Sequence, residues 1–243
     1  MKTALILGAK SDIAKAIATE LSKQKVNLLL AARNANELAN FKIDLQNKYG
    51  NTISIIEFDA LAYATHENFG EQLPTNLDVA FCVFGFLGEQ KNAETNRAEM
   101  FRIVETNYTG AISILEIIAR QFEKKKQGLI VGISSVAGER GRQSNYFYGS
   151  SKAGFTAYLS GLRNRLHKSN VHVLTVKPGY VKTAMTAHLQ MPPVISTSPD
   201  VVAKKILNAI DAGRNEIYVP AIWRVIMRVI KDMPEFIFKR LKL

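Results

Sequence analysis

Six short apolar runs recur along the chain: "TALIL" (3–7), "NLLLA" (27–31), "TISIIEF" (52–58), "VAFCVF" (79–84), "LIVGIS" (129–134) and "VHVLTV" (171–176). Each is continuous rather than alternating. A strand with one wet face alternates apolar and polar residues, whereas a strand covered on both faces does not. Between the runs, apolar residues recur at helical spacing, at 13–23, 35–48, 97–122 and 147–167. Strands buried on both faces and joined through helices run parallel. The pattern therefore predicts an α/β fold of Rossmann type, a doubly wound parallel sheet with helices on both faces. "EIYVP" (216–220) reads as a last strand. A chain of 243 residues suits a single domain with its own core. We assign 1–220 to that domain. It includes a substrate loop at 184–198, "AMTAHLQMPPVISTS", where a proline pair and small polar residues predict a lid. Residues 221–243 form a basic amphipathic tail.

Composition narrows the function classes. The single cysteine, Cys82, excludes an internal disulfide framework and fits a cytoplasmic setting. No Cys/His cluster suggests a metal. No apolar run approaches the roughly 18 residues of a membrane span, and "MKTALILGAK" has too short an apolar core for a signal peptide. The net charge of +11 comes without a basic recognition helix, so nucleic acid is not the expected partner. An anionic cofactor, an anionic substrate and an anionic membrane surface remain.

The stretch "SNYFYGSSKAG" (144–154) sets a phenol one helical turn before an ammonium. Tyr148 and Lys152 are four residues apart and share a helix face, whereas four residues after Tyr146 stands only Ser150. A fixed cation beside a tyrosine favours the phenolate, lowers the pKa and makes the hydroxyl a usable acid near neutrality. Taken alone, the pair reads more readily as an exposed helix-surface contact.

The first strand runs into "LGAKSDIAKAIA", a strand-to-helix turn of the kind that holds a dinucleotide pyrophosphate against a helix N-terminus. Gly8, Lys10, Ser11, Asp12 and Ile13 are its candidate contacts. Of the usual three glycines only Gly8 is present; Asp12 and Ala14 take the other places. A carboxylate beside a pyrophosphate repels it, so Asp12 is expected to turn away and cap the helix. The second strand ends "LLLAARN", with Arg33 and no acid in the turn, and Lys10 lies nearby. Two cations without a carboxylate predict NADPH rather than NADH, through the 2′-phosphate.

In this order the motifs resemble those of the short-chain dehydrogenase/reductases across nearly the whole chain. "GAKSDIA" is similar to the glycine-rich turn, and "FDAL" to the adenine-contacting turn, with Asp59 and Ala60. "ETNYTG" supplies Asn107. "GISSVAG" supplies Ser135, thirteen residues before Tyr148, with Ser134 one out of register. "KPGYVKT" is similar to the segment over the nicotinamide, with Pro178, Gly179, Val181 and Thr183. The resemblance implies a catalytic set of Asn107, Ser135, Tyr148 and Lys152. Tyr148 would donate the proton to a substrate carbonyl oxygen while Ser135 orients that oxygen. Lys152 would lower the tyrosine pKa and bind the ribose hydroxyls, and Asn107 would hold a water linking Lys152 to solvent. One departure stands out: the usual "NNAG" after the fourth strand reads "CVFG" (82–85), leaving only Gly85 as a cofactor contact.

"VFGFLGE", "SSVAGERGRQSNYFYGSSKAG", "KPGYVKTAMTAHL" and "PEFIFKRL" further resemble the decaprenylphosphoryl-2-keto-ribose reductase branch, which works beside a flavin-dependent oxidase. That resemblance implies a polyprenyl-phosphate-linked keto-sugar as substrate, the oxidase as a partner and a homo-oligomeric state. A soluble carbonyl or 3-ketoacyl reductase, and a non-catalytic NADPH sensor, are the competing readings; the intact catalytic set speaks against the sensor. His188, in the lid, reads as a solvated side chain. In the tail, a helical wheel puts Ile222, Ile226, Val229, Ile230 and Met233 on one face and Arg224, Arg228 and Lys231 on the other, with Pro234 as a break. Such a helix, with Trp223 as an anchor, predicts peripheral binding to the inner face of the membrane. The same stripe could also pack on the protein's own core or on a second subunit.

Overall fold

The structure, a computed structural model, describes residues 1–187 and 192–241. His188 lies outside the described residues. The strands are β1 (Thr3–Leu7), β2 (Asn27–Ala32), β3 (Ile53–Glu57), β4 (Val79–Cys82), β5 (Gly128–Ile133), β6 (Val171–Pro178), β7 (Tyr180–Val181), β8 (Ser196–Thr197) and β9 (Glu216–Val219). Seven of them form one parallel sheet in the order β3-β2-β1-β4-β5-β6-β9. β7 and β8 pair separately, Tyr180 opposite Ser196 and Val181 opposite Thr197.

Burial on both faces explains the continuous apolar runs. β1 sends Ala4 and Ile6 into one core cluster and Leu5 and Leu7 into the other, all four fully buried. The first cluster packs under α1 (Asp12–Lys23), α2 (Ala39–Tyr49) and α8 (Pro199–Asp211), through Ile17, Leu45 and Ile206. The second packs under α3 (His66–Glu71), α6 (Gly110–Lys125) and α7 (Tyr146–Leu166), through Phe69, Ile118 and Leu159. Strand order reverses at β1, which pairs with β2 on one side and β4 on the other. A crevice therefore opens beyond the C-terminal ends of β1 and β4, the place where such sheets bind ligands.

Two helical stretches differ from their expected form. The segment 35–48 begins as a 3-10 turn, Ala35–Leu38, before α2. The segment 97–122 divides into α5 (Arg97–Val104), a π-helical turn (Glu105–Thr109) and α6; α4 (Gln90–Thr95) precedes it. The π turn holds Asn107. Such turns often mark functional positions.

The tail forms α9 (Ile222–Asp232) and α10 (Glu235–Phe238), and it docks on the domain. The docked face is not the one the wheel assigned. Trp223 and Met227 are buried with Val136, and Ile226 and Ile230 pack beside them. Val225 and Val229 point outward, each 60% exposed, as does Ile222. Lys231, assigned to the outer face, turns inward to Glu139 at 2.8 Å. The cause is the indole: Trp223 fits against Gly179, where any side chain would collide with it, and donates its N–H to the Ile195 carbonyl at 2.9 Å. Arg140 holds the far end, donating to the carbonyls of Ile230 and Met233, each at 2.6 Å, and pairing with Glu235 at 2.8 Å. A cation on the last carbonyls of a helix suits its dipole. Among the described residues no helix is long and apolar enough to cross a membrane.

Candidate active site

The turn after β1 sets the first wall. Gly8 has φ 84°, and a Cβ there would lie 2.6 Å from the Phe84 backbone nitrogen, so glycine is required. Ser11, not Asp12, caps α1, its hydroxyl accepting the Ala14 N–H at 3.2 Å. Asp12 is the first helical residue. Its carboxylate does not make the expected cap but accepts the Ala184 N–H, at the start of the lid, at 2.8 Å. The sequence offered no sign of this partner, 172 positions away. Lys10, Ser11, Asp12 and Ile13 line a cavity of about 270 Å³.

At one end a second cavity of about 220 Å³ is lined by Arg33, Asp59 and Ala60. Asp59 Oδ1 accepts the Leu61 N–H at 3.0 Å, which fixes that turn. The expectation of an acid-free turn needs correction. Glu37, in the following 3-10 turn, pairs with Lys10 at 2.6 Å, and Glu57 accepts the N–H groups of Asn34 and Ala35. Lys10 is therefore engaged. Among the described residues neither Arg33 nor Arg102, which lines the same cavity, has a carboxylate partner, and Arg33 stands at the end of β2, where a 2′-phosphate is expected.

At the other end α7 presents Tyr148 and Lys152 to the larger cavity, which Ser135, Pro178, Gly179, Val181 and Thr183 also line. The register expected from the spacing holds. Tyr146 lies on the exposed side, its ring tilted against that of Phe147. Ser134 faces inward, donating to the Lys152 carbonyl and bonding Thr156, while Ser135 opens into the cavity. Lys152 is 3% exposed and donates to the Ile133 carbonyl at 3.0 Å. Asn107 is buried and grips the strand end opposite: its amide donates to the Phe86 and Ile103 carbonyls, and its Oδ1 accepts the Phe86 N–H at 3.1 Å. Gly85 separates the two, since a Cβ there would lie 2.9 Å from Asn107 Oδ1 and 3.5 Å from Lys152 Nζ. That clearance accounts for the one glycine kept in "CVFG".

A model of the short chain dehydrogenase family matches residues 2–192. An uncharacterized oxidoreductase of Mycobacterium tuberculosis is 33% identical over 240 residues, 98% of this chain and 96% of that protein. The chain belongs to the short-chain dehydrogenase family. It is an oxidoreductase that depends on NAD or NADP. An NADP-dependent 3-hydroxy acid dehydrogenase of Schizosaccharomyces pombe is 29% identical over 187 residues, 75% of this chain and 72% of its own. Among solved structures, a short-chain dehydrogenase from Sphingobium yanoikuyae, in complex with NADPH, superposes with a TM-score of 0.83 at 20% identity and covers 97% of both chains.

Burial governs the protonation of this dehydrogenase's cleft. The Tyr148 hydroxyl is pushed up to about 12 by loss of solvent, against a hydrogen bond from Ser135 that pulls it down. Lys152 is pushed down to about 8 by burial. The expectation that Lys152 lowers the tyrosine pKa is not met in this arrangement. The ammonium is 5.8 Å from the Tyr148 ring, and its hydrogen bond goes to Ile133. Desolvation then outweighs the Ser135 hydrogen bond. Two further residues had been given no role, although Arg142 falls within the 138–148 motif. Arg102 lines the Arg33 cavity, stacked 4.0 Å from the Phe86 ring. Arg142 lines an outer cavity of about 420 Å³ that shares Ser135 and Tyr148 with the inner one. Among the described residues no group of His, Cys, Asp or Glu could hold a metal.

Proposed function

We propose that the protein is an NADPH-dependent reductase of a keto group, with a polyprenyl-phosphate-linked keto-sugar as substrate. The observation that carries the reductase reading is that the Ser135 and Tyr148 hydroxyls belong to the walls of two adjoining cavities. One cavity fits a dinucleotide and the other a ketone, so the reacting carbon would lie between them. The residues suit the cofactor: α1 presents its N-terminus to the cavity, Asp12 is held off by Ala184, and the Arg33 cavity shares Lys10, Ser11 and Gly85 with the inner one. Arg33 supports the 2′-phosphate, and the NADPH of the Sphingobium structure and the NADP of the fission-yeast relative agree with it.

Bound there, the cofactor supplies the hydride. Tyr148 holds its proton well past neutrality and donates it to the carbonyl oxygen as negative charge grows on that atom. Ser135 donates a hydrogen bond to the same oxygen, a fixed dipole that costs no reorganisation at the moment of reaction. Lys152 lies beneath, braced by Ile133, where it can reach ribose hydroxyls and return a proton to Tyr148. Asn107 spends its amide on Phe86 and Ile103, so its role in this reading is to hold the π turn and the Gly85 strand end.

The motifs at 83–89, 138–148 and 184–189 support the keto-sugar branch, and with it a flavin-dependent oxidase as partner and a homo-oligomer. The exposed apolar and basic side of α9 and α10, with Val225, Val229, Phe236, Arg224 and Lys239, supports peripheral contact with an anionic membrane. A soluble 3-hydroxy acid or 3-ketoacyl reductase is the second reading, favoured by the fission-yeast relative and by the apolar Leu87, Val136 and Met185 in the outer cavity. Steady-state NADPH oxidation with a short-chain prenyl-phosphoryl keto-ribose, against 3-ketoacyl thioesters, decides between them. The proposal expects the keto-sugar to have the higher kcat/KM; a preference for thioesters would install the second reading.

A further inference from the structure

The outer cavity contains a buried cation that the described fold leaves without a counter-ion. Arg142 follows the turn that carries Ser135 and lies six residues before Tyr148, in the loop leading into α7. It is 9% exposed, yet no carboxylate pairs with it among the described residues. Its Nη2 donates to the Met227 sulfur at 3.2 Å and the guanidinium bonds the Tyr180 hydroxyl, while Nε is buried with no partner. A thioether and a phenol are weak acceptors for a group with five N–H donors. Burying an unpaired charge is unfavourable, so such a side chain marks a place completed by an anion. Its surroundings agree. Asn145, in the same wall, has a buried Oδ1 with no donor. Among the described residues the one acid lining the cavity is Glu89, which is exposed. Lys91, also in the lining, pairs with Glu94.

We infer that Arg142 is a specificity-determining residue that binds a phosphoryl oxyanion of the ketone substrate, with the Asn145 carbonyl free to accept a hydrogen bond from a neighbouring hydroxyl. This rests on the reading of the outer cavity as the substrate side. Arginine suits the task because its planar fork meets two phosphoryl oxygens at once. The pairing is distinct from the cofactor phosphates, which Arg33 and the turn after β1 would hold in the cavities on the other side of Tyr148. The tail takes part indirectly: Met227 is the side chain against which Arg142 rests, so the docked α9 fixes where the fork sits.

The test uses the full chain saturated with NADPH, so that the Arg33 end is filled. Binding is read from the fluorescence of Trp223, the one tryptophan, which meets the Tyr180 ring edge-on with centroids 5.6 Å apart. The probes are dimethyl phosphate, D-ribulose 5-phosphate and the neutral parent D-ribulose. A phosphate should bind at least about tenfold more tightly than the neutral sugar, since a charge-assisted pair is roughly twice as strong as a neutral one. Arg142→Met should erase that difference, and Arg142→Lys should keep part of it. A preference for the diester points to a phosphate inside a lipid linkage, and a preference for the monoester to a soluble sugar phosphate; both support Arg142. Equal binding of charged and neutral probes by the unaltered protein overturns the inference, as does an Arg142→Met variant that still binds NADPH and keeps the phosphate preference. Ketone reduction without phosphate preference would remove Arg142 alone. Phosphate binding without reduction of any ketone would remove the reductase reading and leave Arg142 standing.

Discussion

The Asp12 carboxylate accepts the backbone N–H of Ala184 at 2.8 Å, tying the phosphate turn to the start of the lid. A glycine at position 12, usual in this family, could not make that tie. The acid thus trades repulsion near a pyrophosphate for a fixed lid root. Asp12→Ala should release the Ala184 amide, and Asp12→Asn, which keeps an acceptor, should retain it. Amide hydrogen exchange at Ala184 checks this: faster exchange in the alanine variant only is the expected result.

Cofactor choice turns on Arg33, because Glu37 occupies Lys10. Arg33→Ala should weaken NADPH by about ten- to a hundredfold, the range for losing a hydrogen bond to a charged group, and leave NADH nearly unchanged. Fluorescence titration of both cofactors measures it. An unchanged NADPH to NADH ratio would assign the 2′-phosphate elsewhere, with Arg102 as the next candidate.

The Lys152 ammonium loses solvent on folding, and its pKa falls from 10.5 to about 8. Below pH 8 the folded protein bears the cost of a buried cation. Between pH 8 and the unfolded value the folded state has released a proton that the unfolded state still binds, so stability from this group rises with pH there. The gain is on the order of 2–3 kcal/mol across the window. Denaturant unfolding of the cofactor-free protein should show this rise, relative to Lys152→Met, between pH 8 and 10. Parallel pH curves for the two proteins would contradict it.

Truncation after Pro220 is a poor test of membrane contact, because it would strip Trp223 from Gly179 and Met227 from Arg142. Val229 and Phe236, 60% and 62% exposed, can be changed without touching that docking. Val229→Ser with Phe236→Ser should reduce co-sedimentation with phosphatidylglycerol vesicles by about tenfold or more, since burying each side chain is worth about 1.5–3 kcal/mol. Equal sedimentation of both proteins would assign the exposed face to something other than lipid.

The fold was legible because burial on both faces leaves a continuous apolar run, and six of the seven sheet strands were visible as such runs. The Tyr148–Lys152 spacing was legible because helix periodicity fixes which side chain faces the cleft, and Ser135 through the resemblance to the family's serine-to-tyrosine interval. Four features were not. Asp12 meets Ala184 from 172 positions away, and no local pattern reports a contact over that separation. Glu37 reaches Lys10 only because Asn34 adopts φ 51° and the chain turns back on itself. The tail's docked face escaped a wheel that weighed aliphatic residues together, since one indole and its slot at Gly179 decide the register. Arg142 belongs with these, as its significance lies in a partner it lacks.

The central claim is that Tyr148 gives its proton to a substrate ketone. Single-turnover loss of reduced-nicotinamide absorbance, with NADPH prebound and a keto-sugar added, measures that step. Tyr148→Phe should slow it by about 10²–10⁴-fold while NADPH affinity stays within about twofold, and Tyr146→Phe should match the unaltered protein. A Tyr148→Phe variant that turns over at the normal rate, or a loss confined to Tyr146→Phe, would contradict the account.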